Sequence, residues 1–276
     1  MIQTYLSKIF NLLQMLQLNG GQRYSFGLFA TAIAVIAFTS TVAGCKEKQI
    51  SLPQLPPPPI VIVTDTTHKD TTIATTTALN YMALGDSYTI GQNVTEEARF
   101  PMQTAAILNT KTIPVSKPDI IATTGWTTSN LLAAIETAKP ATNYDIVSLL
   151  IGVNDQYQRH DTTGYRDNFT LCLENAIRIA AGKRNHVFVL SIPDYSVTPF
   201  GSGGNTAQIA REIDQFNAIN KSVTISYEIS YTDVTTTSRA EKNNAGMISS
   251  DGLHPSGSQY RIWAQLLSEA MIKQLK

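Results

Sequence analysis

From residue 79 onward, short apolar runs alternate with segments in which apolar residues recur every three or four positions. The runs Tyr81 to Leu84, Asp119 to Ala122, Ile146 to Ile151 and His186 to Ile192, with a weaker one at Ser230 to Val234, predict β-strands. Between them the spacing predicts helices near Pro101 to Asn109, Thr128 to Ala138, Asp167 to Ala181 and Thr206 to Ile219, and a last helix from Ser256 to Leu275. Phe169, Cys172, Leu173, Ala176, Ile177 and Ala180 fall on one helical face, as do Tyr260, Trp263, Leu267, Ala270 and Met271. Each stripe marks a helix packed against a sheet. Strands alternating with helices imply parallel pairing through right-handed crossovers, with helices on both faces. The expectation is a three-layer α/β/α domain with a five-stranded parallel sheet over residues 80–276, large enough to bury a full core.

The first eighty or so residues follow neither pattern. Phe29 to Gly44, "FATAIAVIAFTSTVAG", is apolar and uncharged, short for a membrane span, and ends in small residues, which suits a secretory signal. Cys45 follows at once, and "VAGC" resembles a bacterial lipobox, whose cysteine is lipidated and becomes the mature N-terminus. An uncleaved anchor is the alternative. A second half-apolar segment, Ile9 to Leu18, precedes this run, and a start at Met15 would leave a short n-region containing Arg23. Residues 46–79 hold four consecutive prolines, Pro56 to Pro59, and a threonine tract, the composition of an extended spacer in which His68 is solvated. The expected organisation is therefore a signal peptide over 1–45, a linker over 46–79 and one domain over 80–276, held in the bacterial cell envelope by a lipid on Cys45.

Composition removes several classes. Lysine plus arginine equals aspartate plus glutamate, 21 each, and no basic stripe occurs, which argues against a nucleic-acid partner. With only two cysteines, Cys45 and Cys172, neither a zinc-finger spacing nor a disulfide framework is possible. Cys172 lies on an apolar helical face and reads as core. No cofactor or metal is expected, and the domain is expected to be a monomer.

In an open α/β sheet the segments after the strands' carboxyl ends gather on one edge, where sites are built. After the first strand stands Gly85-Asp86-Ser87, after the second "TTGWTT" with Gly125, after the third "IGVND" with Asn154, and before the last helix "SDGLHPSG" with Asp251 and His254. Taken singly, each has an ordinary reading: a turn, a helix-start aspartate, a loop histidine. Taken together they supply what an ester-cleaving serine needs. Ser87 is the candidate nucleophile, His254 its base, and Asp251 the group that orients the base. The amides of Ser87 and Gly125 and the side chain of Asn154 are candidate oxyanion donors.

These blocks resemble those of the SGNH hydrolases, the GDSL esterase and lipase family, across residues 80–276. The family's Gly-Asp-Ser nucleophile matches Ser87, its second-block glycine Gly125, its Gly-x-Asn-Asp asparagine Asn154, and its Asp-x-x-His pair Asp251 and His254. Tyr88 departs from the leucine or isoleucine that often follows the serine. The resemblance implies a flavodoxin-like sheet and cleavage of carboxylic esters through an acyl-enzyme. Gly-x-Ser-x-Gly, the elbow of the α/β-hydrolases, is missing. Family members cleave lysophospholipids, acyl thioesters and acetyl groups on carbohydrates; an exported enzyme would not meet acyl-CoA, so a carbohydrate O-acyl ester and a lipid acyl ester both stay open. A membrane-tethered protein that binds glycan or lipid on a retired hydrolase scaffold is the alternative from another class. Trp126, Gln156, Tyr157 and the segment Pro193 to Gly201 are expected to line the substrate pocket, whereas Phe169, Phe216 and Trp263 read as core, and His160 and His186 as structural or solvated.

Overall fold

Tyr81–Gly85 forms the interior strand β1, and every one of its residues is buried. Because successive side chains on a strand point to opposite faces, burial of all five means that both faces of the sheet are covered. The same holds for β3 (Ile146–Leu150) and β4 (Val187–Leu190). With β2 (Asp119–Ala122) and β5 (Ser230–Thr232) they make one parallel sheet of order β2-β1-β3-β4-β5. The computed structural model describes residues 77–275. The expected signal segment, Cys45 and nearly all of the expected linker lie outside the described residues.

The helices fall into two packed groups. α2 (Phe100–Thr110) packs on the last helix, α8 (Gly257–Leu275), while α5 (Thr162–Ile179) packs between α3 (Thr128–Ala138) and α6 (Thr206–Ser226). Phe169, Cys172, Leu173 and Ala176 on α5 and Tyr260, Trp263, Leu267 and Met271 on α8 are all fully buried, as their spacing predicts. Phe216 joins them in the core. The result is the expected α/β architecture.

Local chemistry sets the helix boundaries. α3 begins at a capping box in which Thr127 accepts from the Asn130 amide and Asn130 accepts in return. α5 starts five residues before the predicted Asp167, because the Asp161 carboxylate accepts from the Thr163 and Gly164 amides. α6 runs on past Ile219, since the polar Asn220 and Thr224 are buried there through hydrogen bonds that hydropathy does not reveal. Three short helices escape the periodicity altogether: α1 (Ser87–Ile90), α4 (Val153–Arg159) and α7 (Thr235–Ala240). A helix of one or two turns has too few residues to display a 3.6-residue repeat. β3 also ends one residue early, and His186 belongs to the 3-10 turn before β4.

Strand register brings three carboxyl ends level. Gly85 at the end of β1 pairs with Ala122 at the end of β2 and with Leu150 at the end of β3. Three chain segments therefore leave the sheet at the same height. Strand order reverses at β1, the switch point where open α/β sheets leave a crevice at their carboxyl edge.

Candidate active site

The turn after β1 is built by Gly85 and Asp86. A Cβ on Gly85 would collide with the Thr89 side chain and the Leu150 carbonyl, so only glycine lets the chain turn this close to β3. Asp86 then caps α1: its Oδ1 accepts from the Tyr88 amide at 3.0 Å. Ser87 is the first residue of that helix, at its amide-rich end. Asp86 itself is fully enclosed. Burial pushes its carboxyl up to about 8; the Tyr88 amide opposes this, and the nearby Asp155 carboxylate adds to it.

Gly125, in the loop after β2, has φ of 85° and open space where a Cβ would be. Its amide is thus unhindered, in a conformation that other residues rarely adopt. The loop is tied to the turn after α1 by the Thr124 hydroxyl donating to Gln92 Oε1 at 2.6 Å. Asn154 stands in the first turn of α4, directly after β3. One of its Nδ2 protons goes to the Trp126 carbonyl at 3.0 Å, which fixes the amide and leaves the second proton for another acceptor. The next residue, Asp155, accepts from the Thr128 amide at 2.9 Å and hydroxyl at 2.6 Å, pinning α4 to the start of α3.

The fourth segment carries the expected base, His254. His254 Nδ1 and Asp251 Oδ2 are 2.6 Å apart. The other carboxylate oxygen accepts from the backbone amides of Leu253 and His254 and from the Ser249 hydroxyl, all at 2.8 or 2.9 Å. Partial burial works to raise the Asp251 pKa, but the hydrogen bonds from His254, these two amides and Ser249 outweigh it and hold the group well below the usual carboxylate range. It is an anion. With Nδ1 directed at that anion, Nε2 is left as the ring's basic face. Tyr88 meets the imidazole edge-on at 5.8 Å and Trp263 braces Tyr88 at 6.0 Å. Tyr88, the one departure from the family pattern, is therefore a buttress for the histidine.

Ser87, Gly125, Asn154 and His254 line the same cavity, of about 130 Å³, although they come from four separate segments. Ser87 is 4% and His254 8% exposed, so both are largely enclosed in its wall. The rest of the wall is mainly apolar and includes Tyr157, Tyr195 and Phe200. Of the pocket residues expected from sequence, Tyr157 is in this wall, as are Tyr195 and Phe200 from the Pro193 to Gly201 segment. Trp126 and Gln156 are not: Trp126 faces a groove along β2 and α3, and the buried Gln156 lines a neighbouring cleft. Asn154 and Tyr157, three apart on α4, both look into the cavity, whereas Gln156 lines only the neighbouring cleft.

Sequence reasoning missed Asn93. Its Nδ2 donates to Asp251 Oδ2 at 2.6 Å, a second clamp on the carboxylate that comes from the loop after α1. The available signal was Asn93 two residues past Gly91, since asparagine tolerates the left-handed φ of 64° found there.

Fold and site together define an ester-bond hydrolase. The chain belongs to the GDSL-like lipase/acylhydrolase family, whose model matches residues 83–262. Among curated proteins none matches the chain in sequence. Solved structures do share its fold. A lipolytic protein of the G-D-S-L family from Veillonella parvula is 18% identical with a TM-score of 0.53, the alignment covering 71% of this chain and 100% of that one. The lipase/acylhydrolase of Enterococcus faecalis is 16% identical at a TM-score of 0.54, covering 71% and 96%. A mutant of Axe2, an acetyl-xylooligosaccharide esterase from Geobacillus, is 16% identical at a TM-score of 0.53, covering 71% and 94%.

Proposed function

We propose that the protein hydrolyses carboxylic esters through an acyl-enzyme on Ser87. The observation that carries this reading is the single cavity lined by Ser87, Gly125, Asn154 and His254, with the Asp251 carboxylate 2.6 Å behind the imidazole. Ser87 Oγ attacks the ester carbonyl as His254 Nε2 takes its proton, and the Asp251 anion stabilises the imidazolium so formed. The negative charge on the carbonyl oxygen is received by the amides of Ser87 and Gly125 and by the second Nδ2 proton of Asn154. Collapse expels the alcohol, which takes the proton from His254. Water then repeats the sequence on the acyl-enzyme, releasing the acid and Ser87. A carbohydrate O-acyl ester and a lysophospholipid-like lipid ester are the two substrate classes in view.

The string "VAGC" at the end of an apolar run further supports an exported lipoprotein, anchored in the bacterial cell envelope through Cys45 and working as a monomer at the end of its spacer. The test of the chemistry is hydrolysis of p-nitrophenyl acetate, butyrate and octanoate by the purified chain and by Ser87→Ala. Turnover that is lost in the variant is the expected result. Full turnover by Ser87→Ala on every ester would end the reading.

A further inference from the structure

Beside the catalytic cavity lies a second cleft of about 200 Å³, and Tyr157 and Tyr195 line both. Their rings meet edge-to-face at 6.2 Å, and Phe200 packs on Tyr157 at 6.1 Å, so an aromatic ridge stands between two compartments, the second of them richer in polar side chains. The catalytic side is mostly apolar. The far side mixes Tyr157, Tyr195 and Ile209 with a polar group of Gln156, His160, Asn205, Gln208 and Glu212.

The polar groups are already organised. The Glu212 carboxylate accepts from Gln156 Nε2 at 2.6 Å and Gln208 Nε2 at 2.8 Å, and lies 2.8 Å from His160 Nδ1. Partial burial works to raise its pKa, but the bonds from Gln208, Gln156 and His160 prevail and hold it below the usual range, so it carries charge. Its Oε1 takes only the Gln208 bond, leaving room for a further donor. Asn205 spends its Oδ1 capping α6 and keeps its NH₂. Tyr157 is 54% exposed and offers a flat apolar face above these groups.

We infer that this cleft is the alcohol-side subsite of the enzyme and that it takes a neutral polyhydroxylated group, such as a sugar, whose ester the adjoining cavity cleaves. The inference rests on the assignment of Ser87 and chooses between the two substrate classes left open by it. A hydroxyl both donates and accepts, which matches a wall of carboxylate and amides; the Tyr157 ring suits the C–H face of a pyranose. An acyl chain would cover the free Asn205 NH₂ and the spare acceptor site of Glu212 Oε1 without satisfying either. A phosphorylated headgroup would bring acceptors and negative charge against Glu212, and no lysine or arginine lines the cleft among the described residues.

The test compares kcat/KM of the full-length chain on methyl 6-O-acetylglucoside and on ethyl acetate, which has the same acyl group but nothing to fill the cleft. Acetylcholine and an O-acetylated glycerol phosphate serve as charged alternatives. The sugar ester should be preferred at least tenfold over ethyl acetate, and Glu212→Gln and Gln208→Ala should each lower that ratio about tenfold through KM, the worth of one hydrogen bond to a charged group. Gln208 is exposed, so its variant carries the test if Glu212→Gln does not fold. Unchanged ratios in Gln208→Ala, or a Glu212-dependent preference for either charged ester, would overturn the subsite while leaving Ser87 chemistry intact. Failure of the wild-type chain on every ester would overturn both.

Discussion

Asp86 gives the sharpest physical test of this site, because this residue next to Ser87 is a carboxyl held away from water. Its pKa rises from an ordinary 3.8 to about 8, chiefly through burial. That is about four units, each ~1.4 kcal/mol, so the linkage is on the order of 5 kcal/mol. The sign follows from proton counting. Between about pH 4 and pH 8 the folded chain keeps a proton that the unfolded chain has released, so the folded state binds more protons and stability falls as pH rises through this window. Below the unfolded pKa the contribution is fully present, and above the folded pKa both states are ionised and the decline stops. Asp86→Asn keeps an oxygen for the Tyr88 amide and cannot ionise, so it removes this slope. Unfolding by guanidinium chloride at pH 4.5, 6, 7.5 and 9 measures it. The variant should be no more stable than wild type at pH 4.5 and should gain on it steadily to pH 8, by several kcal/mol. Subtracting the two curves cancels groups such as Asp251 that titrate in both. A stability difference that stays flat from pH 4.5 to 8 would refute the account of Asp86 as a buried neutral acid.

Asn154→Ala removes the oxyanion donor proposed at that position and should lower kcat by about 10²–10³-fold with little change in KM, as read from steady-state kinetics on p-nitrophenyl acetate. A rise in KM at unchanged kcat would instead make Asn154 a substrate-holding residue. Asp251→Asn replaces the anion behind His254 with an amide and should cost kcat ~10⁴-fold while leaving thermal stability high enough to assay; a loss under tenfold would mean that the carboxylate only braces its loop. Ser87→Ala and His254→Ala should each remove most activity and the double variant little more, since the pair acts as a unit; additive losses would point to separate roles. Cys45→Ser should release the protein from the membrane fraction of expressing cells, and unchanged retention would sink the lipid anchor.

The amino-acid sequence by itself determined the alternation of buried strands and amphipathic helices, because burial on both faces demands continuous apolar runs and burial on one face demands a 3.6-residue stripe. It also displayed Ser87, Gly125, Asn154, Asp251 and His254, since the roles proposed for them depend on features written locally: a glycine-led turn, a positive φ, an aspartate three residues before its histidine. Distance along the chain was no obstacle there, as parallel strands in register deliver the three strand-end segments to one edge. What only the tertiary structure decided is direction and neighbourhood. Gln156 adjoins Tyr157 in sequence, yet only Tyr157 reaches the catalytic cavity, while both line the neighbouring cleft. Asn93 reaches Asp251 across 158 positions, and Glu212 meets His160 across 52. No local pattern encodes such pairs, because a side chain's partner is fixed by how separate elements pack, and the polar residues that make these contacts lack the periodicity by which apolar ones announce their place.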